Sequence, residues 1–273
     1  MFSQLFTGIT KYRNTAQEQY KIHAETLRQI EITYAQDMVK KLSDEENRNF
    51  QKTLEDPRAE AKAVISKEIG KARNYVDYQL SQINCSEMNE IRSLKGLKLS
   101  HAEITALQSK YYHSYWSRKA LNEVLNELPK PTPQFTDVSP DYTLSVLEKV
   151  ENDLNFAVDY YDGRPLSDAT PESIACDRIM SGIGFAKYAD DLNRNPAFTE
   201  QRIDDFYKPL TPDQDRQLYR QYFVDCSTDD EKRTMAEKIV KLGHGVMLER
   251  SSRFSKYLPA EYLPVTGVED CAW

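Results

Sequence analysis

The stretch LRQIEITYAQDMVKKL, residues 27–42, decides the fold class that the sequence predicts. Its large apolar side chains recur every three or four positions, with charged residues between them. That spacing is typical of an amphipathic helix whose apolar stripe must be covered by another helix, as in a helical bundle or a coiled coil. The apolar members of the stripe are Leu27, Ile30, Tyr34, Met38 and Leu42.

The composition of the whole chain favours helices as well. Nine glycines stand against 36 Lys and Arg and 43 Asp and Glu in 273 residues. Proteins built from strands and turns use more glycine and fewer long charged side chains. We therefore predict an all-α fold, a multi-helix bundle in which two helical subdomains are joined by a Pro-rich linker.

Helix starts can be read from capping patterns. The pairs Thr170-Pro171 and Thr211-Pro212 place a capping hydroxyl before a proline at the first helical position. Capping boxes, in which a hydroxyl is followed three residues later by a glutamate, occur at Ser43, Ser100 and Thr228. From these signals and the apolar periodicity we predict helices near 10–42, 44–55, 57–83, 86–95, 101–128, 141–161, 171–192, 200–207, 212–225, 229–242 and 246–256.

The predicted domain boundary is the segment 130–140, and the stretch 129–140 contains four of the 12 prolines. Proline fixes φ and removes a backbone donor, so this segment should be extended and semi-rigid. The charge also changes here, because residues 1–130 carry 20 basic and 17 acidic side chains whereas 131–273 carry 16 and 26. We predict a helical subdomain over 1–129, a linker over 130–140 and an acidic helical subdomain with an irregular tail over 141–273. The acidic half argues against a nucleic-acid partner.

Cysteine and histidine patterns give no site for a metal. The four cysteines, Cys85, Cys176, Cys226 and Cys271, are far apart and form no CxxC pair, and the four histidines do not cluster with them. Free thiols in a reducing compartment are the simpler interpretation, so a cytoplasmic location is predicted. We identify no catalytic residue, no metal ligand and no cofactor site.

The segment from Phe6 to Leu42 resembles the start of F-BAR domains. The residues that carry the resemblance are Ile30, Glu31, Tyr34, Ala35, Met38, Lys40 and Leu42. The stretch LQSKYYHSYWSRKAL at 107–121 is similar to the Lys- and Tyr-bearing part of that family's third helix. The resemblance implies an antiparallel helical dimer whose basic face lies on anionic phospholipid.

If the resemblance holds, cations of the first half would contact the membrane. The possible membrane-binding residues are Lys40, Lys41, Lys67, Lys71 and Arg73. Each cation near an anionic surface contributes about 1 kcal/mol of binding. The alternative is that these residues pair with nearby acids on a solvated helix face.

Aromatic residues crowd the predicted helix 101–128, and tyrosine suits surfaces that are half buried and half solvated. Tyr111, Tyr112, Tyr115 and Trp116 are therefore a possible protein interface, with Lys110, Arg118 and Lys119 predicted on the outside. The leading functional hypothesis is a non-enzymatic helical interaction protein: a scaffold, adaptor or assembly subunit that binds a protein partner or self-associates. The alternatives are an F-BAR-like peripheral membrane-binding dimer, and a helical enzyme or cofactor binder with an unrecognised site.

Overall fold

The structure is a computed structural model that describes residues 1–111, 114–128, 139–165, 167–241 and 245–259. Within these residues the chain forms helices and no β-strand, which confirms the all-α prediction. The irregular tail predicted at the C-terminus falls mostly on 260–273, and the linker prediction mostly on 130–138. Both lie outside the described residues.

The helices differ greatly in length, from two turns or fewer to nine turns. In chain order they are α1 (Phe2–Thr33), α2 (Gln36–Thr53), α3 (Glu55–Ser81), α4 (Cys85–Arg92), α5 (His101–Tyr111), α6 (Tyr115–Asn126), α7 (Pro140–Tyr160), α8 (Pro171–Ile179), α9 (Gly182–Asn193), α10 (Glu200–Phe206), α11 (Pro212–Leu218), α12 (Asp229–Lys241) and α13 (Gly245–Glu249). A short π-helix over Tyr219–Phe223 follows α11, and a 3₁₀ turn occupies Ser255–Tyr257.

Most predicted caps are present. The hydroxyl of Thr170 accepts a hydrogen bond from the backbone N–H of Ser173, and the hydroxyl of Thr211 accepts one from that of Gln214. A proline is the first residue of each of the two helices. Glu103 and Glu231 accept hydrogen bonds from the backbone N–H groups of Ser100 and Thr228, as a capping box requires. Hydrogen bonds to the ionised form lower the pKa of both carboxyl groups: Glu103 accepts from the hydroxyl and the N–H of Ser100, and Glu231 accepts from the N–H groups of Thr228 and Ser227. The capping box predicted at Ser43 is wrong, because that residue lies inside α2.

Three long helices predicted from periodicity are divided in the structure. The predicted helix 10–42 begins earlier, at Phe2, and is interrupted by extended backbone at Tyr34 and Ala35. The predicted helix 171–192 is interrupted before Ser181, whose hydroxyl accepts a hydrogen bond from the N–H of Gly184 and caps α9. The predicted helix 101–128 is replaced by α5 and α6. Apolar periodicity continues across each interruption, so it did not reveal them.

The chain divides into two compact units, and each is built from two separate segments. The first unit comprises Met1–Ala72 and Asp141–Arg194, and the second comprises Arg73–Pro140 and Asn195–Trp273. This division differs from the predicted subdomains 1–129 and 141–273. One boundary between the units does fall at Pro140, where the proline-rich segment ends, but the others fall after Ala72 and after Arg194, so neither unit is one continuous half of the chain. Charge and proline content are local signals, and they do not report which distant helices pack together.

The core of the first unit is formed by α1, α3, α7, α8 and α9. Phe2 and Phe185 meet edge to face with ring centroids 6.4 Å apart. Gly8 of α1 lies against Val64 of α3, where an added Cβ would come within 2.9 Å of the valine side chain. Other buried members of this core are Leu5, Ile9, Ile65, Ile69, Leu147, Val150, Leu154, Val158 and Leu192.

The second unit contains two hydrophobic clusters. One is built on α4, α5 and α6 and includes Ile91, Tyr111 and Leu121. The other is built on α11, α12, α13 and the 3₁₀ turn and includes Leu218, Ile239 and Phe254. In that cluster the rings of Phe223 and Phe254 are stacked, with centroids 4.1 Å apart.

The cysteines only partly match the prediction of free thiols. Cys176 and Cys226 are free. Burial raises the pKa of the Cys176 thiol to about 11, so this thiol is protonated at neutral pH. The prediction is wrong at Cys85, which is disulfide-bonded. Since disulfides persist mainly in oxidising compartments, the cysteines no longer support a cytoplasmic location, which stays a prediction.

Candidate interaction surface

The outer part of α1 and the first part of α2 form a helical arm that has no buried residue. The arm comprises residues 24–49, all of which the structure describes, and each is exposed or half-buried. In contrast, the inner part of α1 buries Phe2, Leu5, Ile9, Tyr12, Ala16 and His23. The arm therefore extends beyond the core of the first unit. Its two helices cover each other on the sides that face one another, and their other sides are exposed.

The two helices of the arm are antiparallel. Nδ1 of His23 lies 3.0 Å from Oε1 of Glu46, and the ring of His23 stacks on Phe50 with centroids 4.3 Å apart. Tyr20 meets Phe50 edge to face at 6.1 Å. His23 and Glu46 are equally distant in sequence from the turn at Tyr34 and Ala35, and their contact fixes the register of the hairpin. Glu46, predicted as a capping residue, instead holds the base of the arm.

The end of the arm presents large apolar side chains to solvent. Ile32 is 69% exposed, and Tyr34 and Met38 are each 47% exposed. Leu27, Ile30, Val39 and Leu42 are half-buried along the arm. We call Ile32, Tyr34 and Met38 the apolar tip. The sequence placed Tyr34 and Met38 in a stripe to be covered, but it did not reveal the turn, because Thr33, Tyr34 and Ala35 include no glycine, proline or capping pair that signals one.

A buried tyrosine anchors the inner part of α1 to α7. The hydroxyl of Tyr12 lies 2.8 Å from the carbonyl oxygen of Val158 and 2.7 Å from that of Tyr161, and it can donate its proton to either. The last carbonyls of a helix lack intrahelical partners, so Tyr12 satisfies groups at the end of α7. Burial raises the pKa of this hydroxyl, which therefore keeps its proton.

The loop after α7 packs closely on α1. Gly163 has φ +83°, and a Cβ at this position would overlap the backbone carbonyl of Ala16. Only glycine adopts this conformation readily and leaves room for the close approach. A partly buried ion pair supports the same region, with Arg13 Nη2 of α1 2.8 Å from Asp177 Oδ1 of α8.

A depression of about 460 Å³ lies where this loop meets the base of the arm. Tyr20, Pro165 and Ala24 contribute apolar surface, and Lys21 and Asp168 contribute opposite charges. The side chains of Tyr20, Lys21 and Asp168 have no hydrogen-bonding or ion-pair partner among the described residues, so they are available to a ligand. The remaining lining residues are Gln17, Glu25, Arg28 and Gly163.

The five predicted membrane-contacting cations lie on different elements and in different environments. Lys40 and Lys41 lie on the arm, where both are exposed and form no ion pair with a described residue. Lys67 is exposed on α3. Lys71 lies 2.7 Å from the buried carboxylate of Glu68, which makes it part of a structural ion pair, and Arg73 is half-buried in the second unit.

The predicted aromatic interface is largely occupied by the protein's own core. Tyr111 is 2% exposed, which leaves almost no surface for a partner. Trp116 is half-buried against the α4–α6 cluster and donates its indole N–H to the carbonyl oxygen of Leu80 at 2.9 Å. Tyr115 is half-buried beside Phe198, with ring centroids 6.0 Å apart. Tyr112 lies outside the described residues.

One flanking residue of this helix was placed wrongly. Arg118, predicted on the outside, is 2% exposed. The helical periodicity that puts Lys119 on the surface turns Arg118 inward on α6, next to the buried Ser117. Residue type alone had suggested that both cations face solvent.

Neither a membrane span nor a metal cluster is found in the described ranges. None of the helices there combines the length and apolar character needed to cross a bilayer. In the same residues, no three or more His, Cys, Asp or Glu side chains are grouped so that they could hold a metal ion.

Comparisons with protein-family models, with curated proteins and with solved structures find no match.

Proposed function

We propose that this chain is a non-enzymatic interaction protein, a scaffold, adaptor or assembly subunit, that binds protein through its helical arm. The observation that carries the proposal is the apolar tip on an arm without buried residues. Clustered large apolar side chains on a protein surface are typical of binding sites, because leaving them in water is unfavourable.

The architecture of the arm supports the same function. A two-helix hairpin covers only the stripes that face each other, and its outer faces need another element to become buried. The inner part of α1 is fixed in the core by Tyr12 and by the close packing at Gly163, so the arm projects from a firmly held base. Such a base reduces the entropy lost when a partner docks.

Site-specific photo-crosslinking tests the proposal. Tyr34 is replaced by a photoreactive phenylalanine in the cells that produce the protein, and the adducts are identified by mass spectrometry. We expect discrete protein adducts that are lost when Ile32→Ser and Met38→Ser are added. Asp213, whose side chain is 84% exposed on α11, carries the same photoreactive group in the control. Identical adducts at both positions, or adducts at position 34 that persist in the serine variant, would contradict the proposal.

Membrane binding is the second candidate function. Lys40 and Lys41 next to the apolar tip favour it, since apolar insertion and cations together attract a protein to anionic lipid. The F-BAR resemblance of residues 6–42 implies the same target. Co-sedimentation with phosphatidylserine-rich liposomes at low and high salt separates this function from protein binding. Lys40→Glu with Lys41→Glu should abolish pelleting if lipid is the target.

A further inference from the structure

The depression of about 460 Å³ is lined by one face of α1 and by the loop after α7, both of which belong to the first unit. The α1 residues that line it recur at helical spacing from Gln17 to Arg28, so they share one face of the helix. Its volume equals that of roughly fifteen water molecules at about 30 Å³ each. That size lies within the range of small-molecule binding sites.

The α1 wall of the depression is held in place by contacts on its other side. The ring of Tyr20 meets those of His23 and Phe50 edge to face, with centroids 6.2 and 6.1 Å away. The side-chain amide of Gln17 donates a hydrogen bond to the hydroxyl of Tyr161 at 2.9 Å. Because these contacts already order the side chains, a ligand that binds here loses less entropy in ordering them.

The loop wall is held at two points. Gly163 lies against the backbone of Ala16, in a conformation that glycine adopts readily. Further along the loop, the N–H of Asp168 donates a hydrogen bond to the carbonyl oxygen of Pro165 at 3.0 Å. Pro165 and Asp168 are therefore positioned at the depression before any ligand arrives.

Two opposite charges line the depression without a partner. The ammonium of Lys21 and the carboxylate of Asp168 are exposed and take part in no hydrogen bond or ion pair with a described residue. They do not pair with each other, so their charged atoms are more than about 4 Å apart. The other charged lining residues, Glu25 and Arg28, lie 3.9 Å apart and offset each other. The depression therefore presents one cation and one anion that a ligand can bridge.

The ligand chemistry that matches this lining is a small zwitterion with an apolar side chain. A carboxylate would accept a charge-assisted hydrogen bond from Lys21, and an ammonium would donate one to Asp168. The apolar side chain would contact Tyr20, Ala24 and Pro165. The face of the tyrosine ring also attracts an ammonium group. A ligand that carries only one of the two charges would make only one of the two charged contacts.

We infer that the depression is a binding site for such a zwitterion, which is an apolar α-amino acid or a short peptide with the same groups. Lys21 binds the carboxylate, Asp168 binds the ammonium, and Tyr20 contacts the apolar side chain. No residue of the apolar tip lines the depression. The inference therefore goes beyond the proposed function of the arm and does not depend on it.

An amide-resolved NMR titration of the full chain with L-phenylalanine tests the inference. We expect a dissociation constant below about 1 mM, with shifts at the amides of Tyr20, Lys21, Ala24 and Asp168. Two matched probes each lack one charge: 2-phenylethylamine has no carboxylate, and 3-phenylpropionate has no ammonium. Each should bind at least about tenfold more weakly, because one charge-assisted hydrogen bond is lost.

Two variants assign the charges. Lys21→Gln should weaken the binding of L-phenylalanine about tenfold and leave that of 2-phenylethylamine unchanged, since this probe has no carboxylate for Lys21. Asp168→Asn should weaken L-phenylalanine to the same extent and leave 3-phenylpropionate unchanged. The unchanged probe in each case shows that the variant is folded. The matched controls are Lys67→Gln and Asp44→Asn, at exposed positions outside the depression, and both should bind L-phenylalanine like the wild type.

The dipeptide L-phenylalanyl-glycine distinguishes the two sources of the ligand. Binding tighter than that of L-phenylalanine supports the site with a peptide as its ligand, and weaker binding supports it with a free amino acid. The inference is overturned if neither compound binds up to about 20 mM, if the shifts lie outside the depression, or if neither variant weakens binding. None of these failures would affect protein adducts at position 34, so the proposed function would stand.

Discussion

The two parts of α1 have the same helical pattern and opposite surroundings. From Phe2 to His23, the apolar stripe is buried against α3, α7 and α9, whereas from 24 to 33 no residue is buried. An apolar residue therefore stabilises the core in the first part of the helix and remains exposed or half-buried in the second part. The comparison teaches that amphipathic periodicity marks a stripe to be covered, but it does not specify whether the cover is the chain's own core or a partner.

Substituting one isoleucine in each part gives the largest expected contrast. Ile9 is fully buried, so Ile9→Ala should lower the free energy of unfolding by about 2–5 kcal/mol through lost burial and a cavity. Ile32→Ala, on the arm, should change it by no more than about 0.5 kcal/mol. Urea unfolding followed by circular dichroism measures both. Equal losses would show that the arm is as well packed as the base.

A pair of glycines tests what holds the base. Gly163→Ala should cost about 2–4 kcal/mol, since alanine is unfavourable at positive φ and its Cβ would collide with the backbone of Ala16. Gly70→Ala is the control, because the site is helical and has no atom near the added Cβ. There the substitution should stabilise the protein by about 1 kcal/mol. If Gly163→Ala is tolerated as well as the control, the loop does not pack on α1 as described.

Removing the hydroxyl of Tyr12 or of Tyr34 gives the smallest expected difference in the free energy of unfolding. Tyr12→Phe removes the hydroxyl that satisfies buried carbonyl oxygens at the end of α7, and it should cost about 1–3 kcal/mol. Tyr34→Phe removes a hydroxyl with no partner among the described residues, so its effect should stay within about 0.5 kcal/mol. Thermal unfolding at matched protein concentration measures the difference. A similar effect at both positions would mean that the Tyr12 bonds contribute nothing net.

Local chemistry made part of the fold predictable. Thr170, Thr211 and the pairs Ser100–Glu103 and Thr228–Glu231 act as caps because each satisfies backbone groups within three or four residues of itself. The interruption at Tyr34 was missed, since no residue there disfavours a helix strongly. Because the turn was not predicted, the helical arm could not be predicted either, and the candidate interface was placed on aromatic residues such as Tyr111 instead. Tyr111 is part of a core whose other members lie on α4, α5 and α6.

The sequence by itself determined that the protein is all-α, where many of its helices begin, and that residues 27–42 carry an apolar stripe. Only the tertiary structure decided that residues 1–72 pack with 141–194, that Arg118 is buried, and that the stripe ends on an exposed arm. The reason is the range of the interactions. Caps and helical periodicity act over one or two turns, whereas burial depends on contacts between residues more than a hundred positions apart, such as Tyr12 with Val158.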